Sequence, residues 1–406
     1  MTGEGWQLAA GRDQCANVLL SDVGNLLVSR HGSLRGKRKR GATDMATRYR
    51  GWIYLFCFCC FPAFAQQNSP AKNSEAVTPV TTDTANRLIT LDVVAADPSG
   101  HAIPGLQQQD FTLLDDKQPQ KIISFQAVSA TSTDGPSAEI LLVIDEVNTS
   151  FRDTALARQQ IAKLLSQNSG DLAWPVSIVS FSASGATETT PSRDRKTLIA
   201  QLDQSDHGLR GPTRAQGTYG ALERLNLSLR TLGQLVDYEA KRPGRKLVIW
   251  ISPGWTLLST PRVELTSENQ QELFRTIVGL SDGLRRARIT LYNVNPVGSG
   301  GGVLKSYYKD FVKGVSAAKQ VRIGNLALQV LAYQSGGLVL NTSNDLVGEI
   351  ATCMNDANAY YVLSFEGAVG DGPNEYHGIE VKVDKPGLDV RTSSGYYAQP
   401  EQAHNH

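Results

Sequence analysis

The stretch ILLVIDEVNTS (140–150) places an acid and several polar side chains directly behind five apolar residues. Asp145, Glu146, Asn148 and Thr149 offer carboxylate, amide and hydroxyl oxygens in one short loop. Hard oxygens of this kind suit Mg²⁺, so the loop reads either as a metal-holding edge or as the shell of one. Two other stretches end in comparable chemistry: GTYGAL (217–222) with Thr218, and SPGW (252–255) with Ser252. Each also has a purely structural reading. Asp145 can cap a loop at a strand end, Thr149 and Thr218 can cap helices, and Asn148 can hold an Asx turn.

Other chemistries are harder to assemble. NPVGSGGGVLKS (295–306) is glycine-rich, but Val303 and Leu304 separate its last glycine from Lys305. A phosphate-cradling loop needs Gly-Lys-[Ser/Thr] in sequence, so a flexible loop is the better reading. No Gly-x-Ser-x-Gly elbow occurs. His101, His207, His377, His404 and His406 fall in turns or the tail without motif partners, so no hydrolytic triad can be built. His404 and His406 could hold a stray metal weakly. The doublets Tyr307-Tyr308, Tyr360-Tyr361 and Tyr396-Tyr397 predict one ring packed inward and one facing out.

The elements that must position these residues follow from hydrophobic period. In RLITLDVVAAD (87–97) Ile89, Leu91 and Val93 form a core face by alternation. DFTLLDDKQPQKIISFQAV (110–128) reads as two strands joined by a turn around DDKQPQ. From ILLVID (140–145) onward, apolar strands alternate with helical stretches. The strands are WPVSIVSFS (174–182), RKLVIWISPG (245–254), ITLYNVNP (289–296) and LVLN (338–341). The helices fall at 153–167, 192–204, 217–241, 267–288, 325–337 and 344–358, with Leu156, Ile161, Leu164 and Leu165 on the apolar face of the first. This alternation predicts an open, mostly parallel sheet with helices on both faces. In such sheets the working groups lie at the carboxyl ends of the strands. AYYVLSFEG (359–367), YHGIEVKVDKP (376–386) and LDVRTSSGYYA (388–398) then read as three more strands. They are expected to join the strands of 88–129 in one sandwich, with an α/β domain at 138–358 inserted between the two parts.

Composition bounds the remaining ground. The chain is 41% hydrophobic and 19% charged with a net charge of +1, so it has an ordinary folded composition and no basic excess for nucleic acid. MATRYRGWIYLFCFCCFPAFAQQ (45–67) has a positive start, a short apolar run and Ala63-Phe64-Ala65. That is a secretory signal with cleavage expected after Ala65. The alternative is a membrane anchor, although the run falls short of the about 20 residues of a spanning helix. Met45 then marks the expected start, and residues 1–44 an over-extended one. Removing 1–65 leaves a mildly acidic chain in which Cys353 is the sole cysteine, so neither an internal disulfide nor a cysteine zinc site is available. Cys353 reads as a buried structural thiol. Residues 66–86 read as a flexible lead-in and 399–406 as a disordered tail.

Three stretches carry a family resemblance. DEVNT (145–149), LDVVAADPSGHAIPGLQQQDFTLLDDKQPQKIISF (91–125) and YYVLSFEG…IEVKVDKPGLDVRTSSGYYA (360–398) resemble the VWFA-related proteins abundant in Acidobacteria, whose α/β part resembles a von Willebrand factor A domain. That fold holds one divalent cation through Asp-x-Ser-x-Ser after its first strand, a Thr before a central helix and an Asp after its fourth strand. On this pattern Asp145, Thr149 and Thr218 match ligand positions. Val147 and Pro253 stand at two others and supply no side-chain oxygen. The set leaves at most a weak Mg²⁺ or Mn²⁺ site, with Glu146, Ser252 or water filling in.

The sequence therefore predicts an exported bacterial protein that recognises another protein through Asp145, Glu146, Asn148, Thr149, Thr218 and Ser252, largely without metal. It predicts no enzymatic activity, no nucleic-acid partner and no membrane insertion after signal cleavage. The alternatives are a hydrolase or other enzyme on the same sheet, or a structural component of the cell envelope.

Overall fold

The computed structural model describes residues 87–130, 138–205, 217–255, 265–298 and 302–401. The signal, the segments flanking it, most of the linker between 129 and 139, and the tail from 402 lie outside the described residues. The first β segment holds β1 (Leu88–Ala96), β2 (Phe111–Asp115), β3 (Gln118–Gln120) and β4 (Ser124–Ser129). The α/β part follows with β5 (Ala138–Asp145), α1 (Phe151–Ser166), β6 (Val176–Ser182), β7 (Gly185–Glu188), α2 (Arg195–Gln204) and α3 (Gly217–Glu239). It continues with β8 (Arg245–Ile251), α4 (Ser267–Arg286), β9 (Ile289–Val294), α5 (Leu328–Gln334), β10 (Val339–Leu340) and α6 (Leu346–Asn355). The last segment holds β11 (Ala359–Glu366), β12 (Glu375–Val383), β13 (Asp389–Arg391) and β14 (Gly395–Ala398).

The fold is α/β, with a mostly parallel six-stranded sheet ordered β10-β9-β8-β5-β6-β7. Only β7 runs antiparallel, against β6. The run Ile140–Ile144 of β5 is apolar because its two faces serve two cores. Leu141 and Val143 pack with α3 and α4, while Ile140, Leu142 and Ile144 pack with α1, α2 and α6. Each fully buried Leu or Ile contributes roughly 1.5–3 kcal/mol. Helix starts are fixed by short polar side chains. The Ser150 hydroxyl accepts from the Asp153 N–H at 3.2 Å, and the Asp194 carboxylate from those of Lys196 and Thr197 at 3.2 and 3.0 Å. Among the described residues no helix is long and apolar enough to cross a membrane.

The two flanking segments build a β-sandwich of two four-stranded sheets, ordered β13-β1-β11-β4 and β14-β12-β2-β3. Ile89, Leu91, Val93, Phe111, Leu113, Tyr361, Leu363 and Val381 fill the space between them. The first of these sheets turns its other face onto the α/β part: Val94, Val128 and Tyr360 share a core with β5, α1 and α6. Cys353 on α6 is fully buried there, which pushes its thiol well up.

Several expectations need correction. The segment 110–128 gives three strands. Its tight turn is Asp116-Lys117 alone, and β4 crosses into the other sheet. Pro119 lacks an N–H, and β3 is accordingly an edge strand. The run 388–398 is likewise two short strands in different sheets. The sequence reading did not include β7. Leu156 is 39% exposed, because the buried stripe of α1 runs through Thr154, Ala157, Ile161 and Leu165. Tyr360 and Tyr361 do point to opposite faces, yet both are buried, and so are Tyr396 and Tyr397. The face expected to meet solvent meets the α/β part instead.

Candidate functional site

The strand order places β5 at a switch point. One crossover leads from it to β6 on one side, and a later one returns to β8 on the other. Ligands in such sheets bind at the carboxyl ends next to the switch. Asp145 ends β5 at this place, and Ser252 follows the end of β8 beside it.

The Asp145 side chain is fully buried and encircled by N–H donors. Its Oδ1 accepts from the backbone N–H of Val147 at 3.0 Å and of Asn148 at 2.8 Å. The Asn148 side-chain amide donates to both oxygens, at 3.2 and 2.9 Å. The Trp250 indole donates to Oδ2 at 3.0 Å. Burial pushes the Asp145 carboxyl up, while the bonds from Trp250, Asn148 and Ser252 pull it back down. Asn148 also donates to the Ser228 hydroxyl at 2.9 Å, which in turn donates to the Arg224 carbonyl at 2.8 Å. Asp145 thus anchors the loop to the centre of α3.

The remaining predicted residues divide. Ser252 joins the group: it is fully buried, its hydroxyl accepts the Gly254 N–H at 3.2 Å, and its carbonyl accepts from Asn293 at 2.9 Å. Thr149 is buried, and its hydroxyl has no partner among the described residues. It is not the cap of α1, a role Ser150 fills. Glu146 turns away and pairs with Arg158 at 3.0 Å, whose guanidinium also donates to the Leu202 and Ser205 carbonyls. α3 begins at Gly217, so Thr218 lies within its first turn rather than ahead of it, and its side chain is outside the described residues. Val147 is buried among apolar side chains, and the Pro253 carbonyl accepts from Gln329 at 3.1 Å.

These residues do not fit a resident divalent cation. Both oxygens of the one carboxylate present already face N–H donors, and a cation would have to displace an indole and an amide from a dry interior. The arrangement can anchor a loop and set its shape.

Trp250 and Ser228 are functional neighbours that the sequence reading missed. A Trp in the middle of the buried run LVIWI carries an N–H that needs an acceptor, which is the one signal that could have linked it to Asp145.

No protein-family model matches the chain, and no curated protein matches it. Among solved structures it is similar to an aerotolerance-related membrane protein from Bacteroides fragilis NCTC 9343 carrying multiple mutations to serines. The identity is 13% and the TM-score 0.30, over 55% of this chain and 98% of that one. It is similar to the conserved hypothetical protein BatB from Bacteroides thetaiotaomicron at 13% identity and a TM-score of 0.29, over 55% and 98%. A mutant of the PilB minor pilin from Streptococcus sanguinis matches at 12% identity and a TM-score of 0.32, over 56% of this chain and 63% of that one.

Proposed function

We propose that this is an exported binding protein, not an enzyme, which docks a protein partner on the carboxyl-end face of its six-stranded sheet. The observation that carries the reading is the pair of large apolar side chains at that end. Phe151, just after the Asp145 loop, is 62% exposed, and Val297, just after β9, is 45% exposed. Both follow strand ends on the same edge of the sheet as Asp145, whose carboxylate is satisfied internally. Exposed apolar groups around a rigid, polar-locked loop favour contact with another protein surface. Metal plays no part in this docking, since the group that would hold it is committed to N–H donors.

The test is to identify the partner by cross-linking in envelope fractions and then to measure its affinity for the purified chain. The double substitution Phe151→Asp and Val297→Asp is expected to weaken binding at least about tenfold, because anchors of this kind carry most of the binding energy. A chelator is expected to change nothing. Binding that survives the substitutions, or that a chelator abolishes, overturns the reading.

A further inference from the structure

The β2–β3 turn of the sandwich brings two adjacent acidic side chains onto a histidine that is distant in sequence. Asp115 closes β2, Asp116 follows in the turn to β3, and His377 lies on β12, which pairs with β2. Asp116 and Lys117 have φ of 46° and 69°. These are the paired left-handed conformations of a two-residue hairpin turn, and they hold the Asp116 carboxylate over β12. His377 Nδ1 stands 3.2 Å from Asp115 Oδ1 and 3.1 Å from Asp116 Oδ2. A neutral imidazole has at most one N–H at that nitrogen and can direct it at one oxygen only. Here two carboxylates converge on it.

The second oxygen of each carboxylate is held elsewhere. The Tyr396 hydroxyl donates to Asp115 Oδ2 at 2.7 Å, and the Gly378 backbone N–H donates to Asp116 Oδ1 at 2.8 Å. Each carboxylate is therefore oriented so that one oxygen faces the imidazole nitrogen, and the three ligand atoms lie within 4.8 Å of one another. The His377 ring is fixed by stacking on Tyr396, with ring centres 5.2 Å apart. The Asp115 and His377 side chains are 4% and 13% exposed, while that of Asp116 is 55% exposed, so the cluster opens to solvent on one side.

We propose that Asp115, Asp116 and His377 form a binding site for one divalent first-row transition cation of the Zn²⁺ type. Donors bound to a tetrahedral Zn²⁺ at about 2.0–2.1 Å lie about 3.3 Å apart, close to the two nitrogen–oxygen distances here. Imidazole nitrogen in the set favours Zn²⁺ over Mg²⁺ or Ca²⁺, which prefer oxygen alone. Tyr396 and Gly378 supply the outer hydrogen bonds that orient ligating carboxylates. The fourth position faces solvent past Asp116. The site lies on the sandwich and is independent of Asp145 and of the partner face.

The test titrates Zn²⁺ calorimetrically into residues 66–406 carrying His404→Ala and His406→Ala, so that neither the cysteines of 1–65 nor the tail histidines compete. Mg²⁺ is titrated in parallel. One Zn²⁺ per chain with micromolar or tighter affinity is expected, with Mg²⁺ far weaker. His377→Asn and Asp116→Asn are each expected to weaken Zn²⁺ binding tenfold or more, and Tyr396→Phe about 10–100-fold. Asn tolerates the left-handed backbone at 116, so Asp116→Asn keeps the turn, and circular dichroism confirms its fold. Absence of Zn²⁺ binding, unchanged affinity in folded Asp116→Asn, or equal affinity for Mg²⁺ overturns the site.

Discussion

Asp145 accepts nitrogen donors on every side, and its role follows from that shell. An ionised carboxylate accepts hydrogen bonds and gives none, so the N–H groups of Val147, Asn148 and Trp250 all find a partner in it. Asp145→Asn puts an amide among donors and leaves at least one buried N–H unpaired. The expected loss is about 1.5–3 kcal/mol, the worth of hydrogen bonds to a charged group, read by chemical denaturation. Added Mg²⁺ is expected to leave the melting temperature of the natural chain unchanged, whereas a cation held by Asp145 would raise it. Thr149 meets no partner among the described residues, while Asn148 was recognisable as a neighbour of Asp145 from its spacing after β5. Trp250 was not, because its sequence neighbours explain it fully as core, and only the pairing of β5 with β8 brings its indole to Asp145.

At the scale of elements, the amino ends of the same strands carry a second charged group with the opposite character. Glu239 at the end of α3 is fully buried and accepts from Arg242 at 2.9 Å. Arg242 also pairs with Glu139 of β5 and Glu188 of β7. Burial raises the Glu239 carboxyl from 4.5 to about 7, with Arg242 opposing and Glu188 and Glu139 adding to the rise. Its folded value therefore lies above its unfolded value. Between those values the folded state binds more protons, so stability falls as pH rises from about 4.5 to about 7 and then levels off. Glu239→Gln removes the ionisation and is expected to flatten that part of the stability–pH curve, measured by urea unfolding across the window.

The same scale shows why some elements were legible and others were not. β5, β8 and β9 are long apolar runs bounded by polar loops, and helices such as α4 show clear 3.6-residue spacing, so both kinds can be read directly. β7 consists of Gly-Ala-Thr-Glu, too short and mixed to signal a strand, and it exists because β6 offers it an edge. The break between β13 and β14 depends on a close approach. A side chain at Gly395 would come within 2.4 Å of the His377 carbonyl and the Tyr376 hydroxyl. Such contacts are set by the partner sheet, and hydropathy carries no trace of them. His377 was passed over for a similar reason: its two carboxylate neighbours lie 262 and 261 residues away in sequence.

Over the whole molecule, a buried ionic joint couples the sandwich to the α/β part. Arg391 of β13 makes a paired contact with both Asp356 oxygens at 2.8 Å, just after α6. Tyr292 of β9 donates to the same carboxylate at 2.7 Å. Arg245 of β8 donates to the Asp356 carbonyl and lies over the Tyr360 ring at 4.7 Å. Arg288 after α4 reaches Asp92 of β1. Asp356→Ala leaves the largely buried Arg391 with only the exposed Asp389 at 3.5 Å as counter-charge, and the expected loss is at the lower end of the about 3–5 kcal/mol of a broken buried pair. Tyr360 and Val94 of the sandwich strands are buried in the core of the α/β part at this joint, so the expected outcome is one cooperative transition at lower temperature, seen by calorimetry, with no separate melting of the sandwich.

The placement of β1 between β13 and β11 has a consequence for how the chain is made. Synthesis delivers β1 through β4 first, and their partners β11 to β14 last. For the whole interval in which the α/β part emerges, the early strands have bare edges that only the end of the chain can cover. Such edges are where strands of different molecules join by mistake, and pairings this distant in sequence form slowly. A polypeptide released before residue 359 would hold its parallel sheet complete and both sandwich sheets half built. The strands from Ala359 to Ala398 thus act as the closing step of this sandwich, and until they arrive the chain depends on being kept apart from its copies.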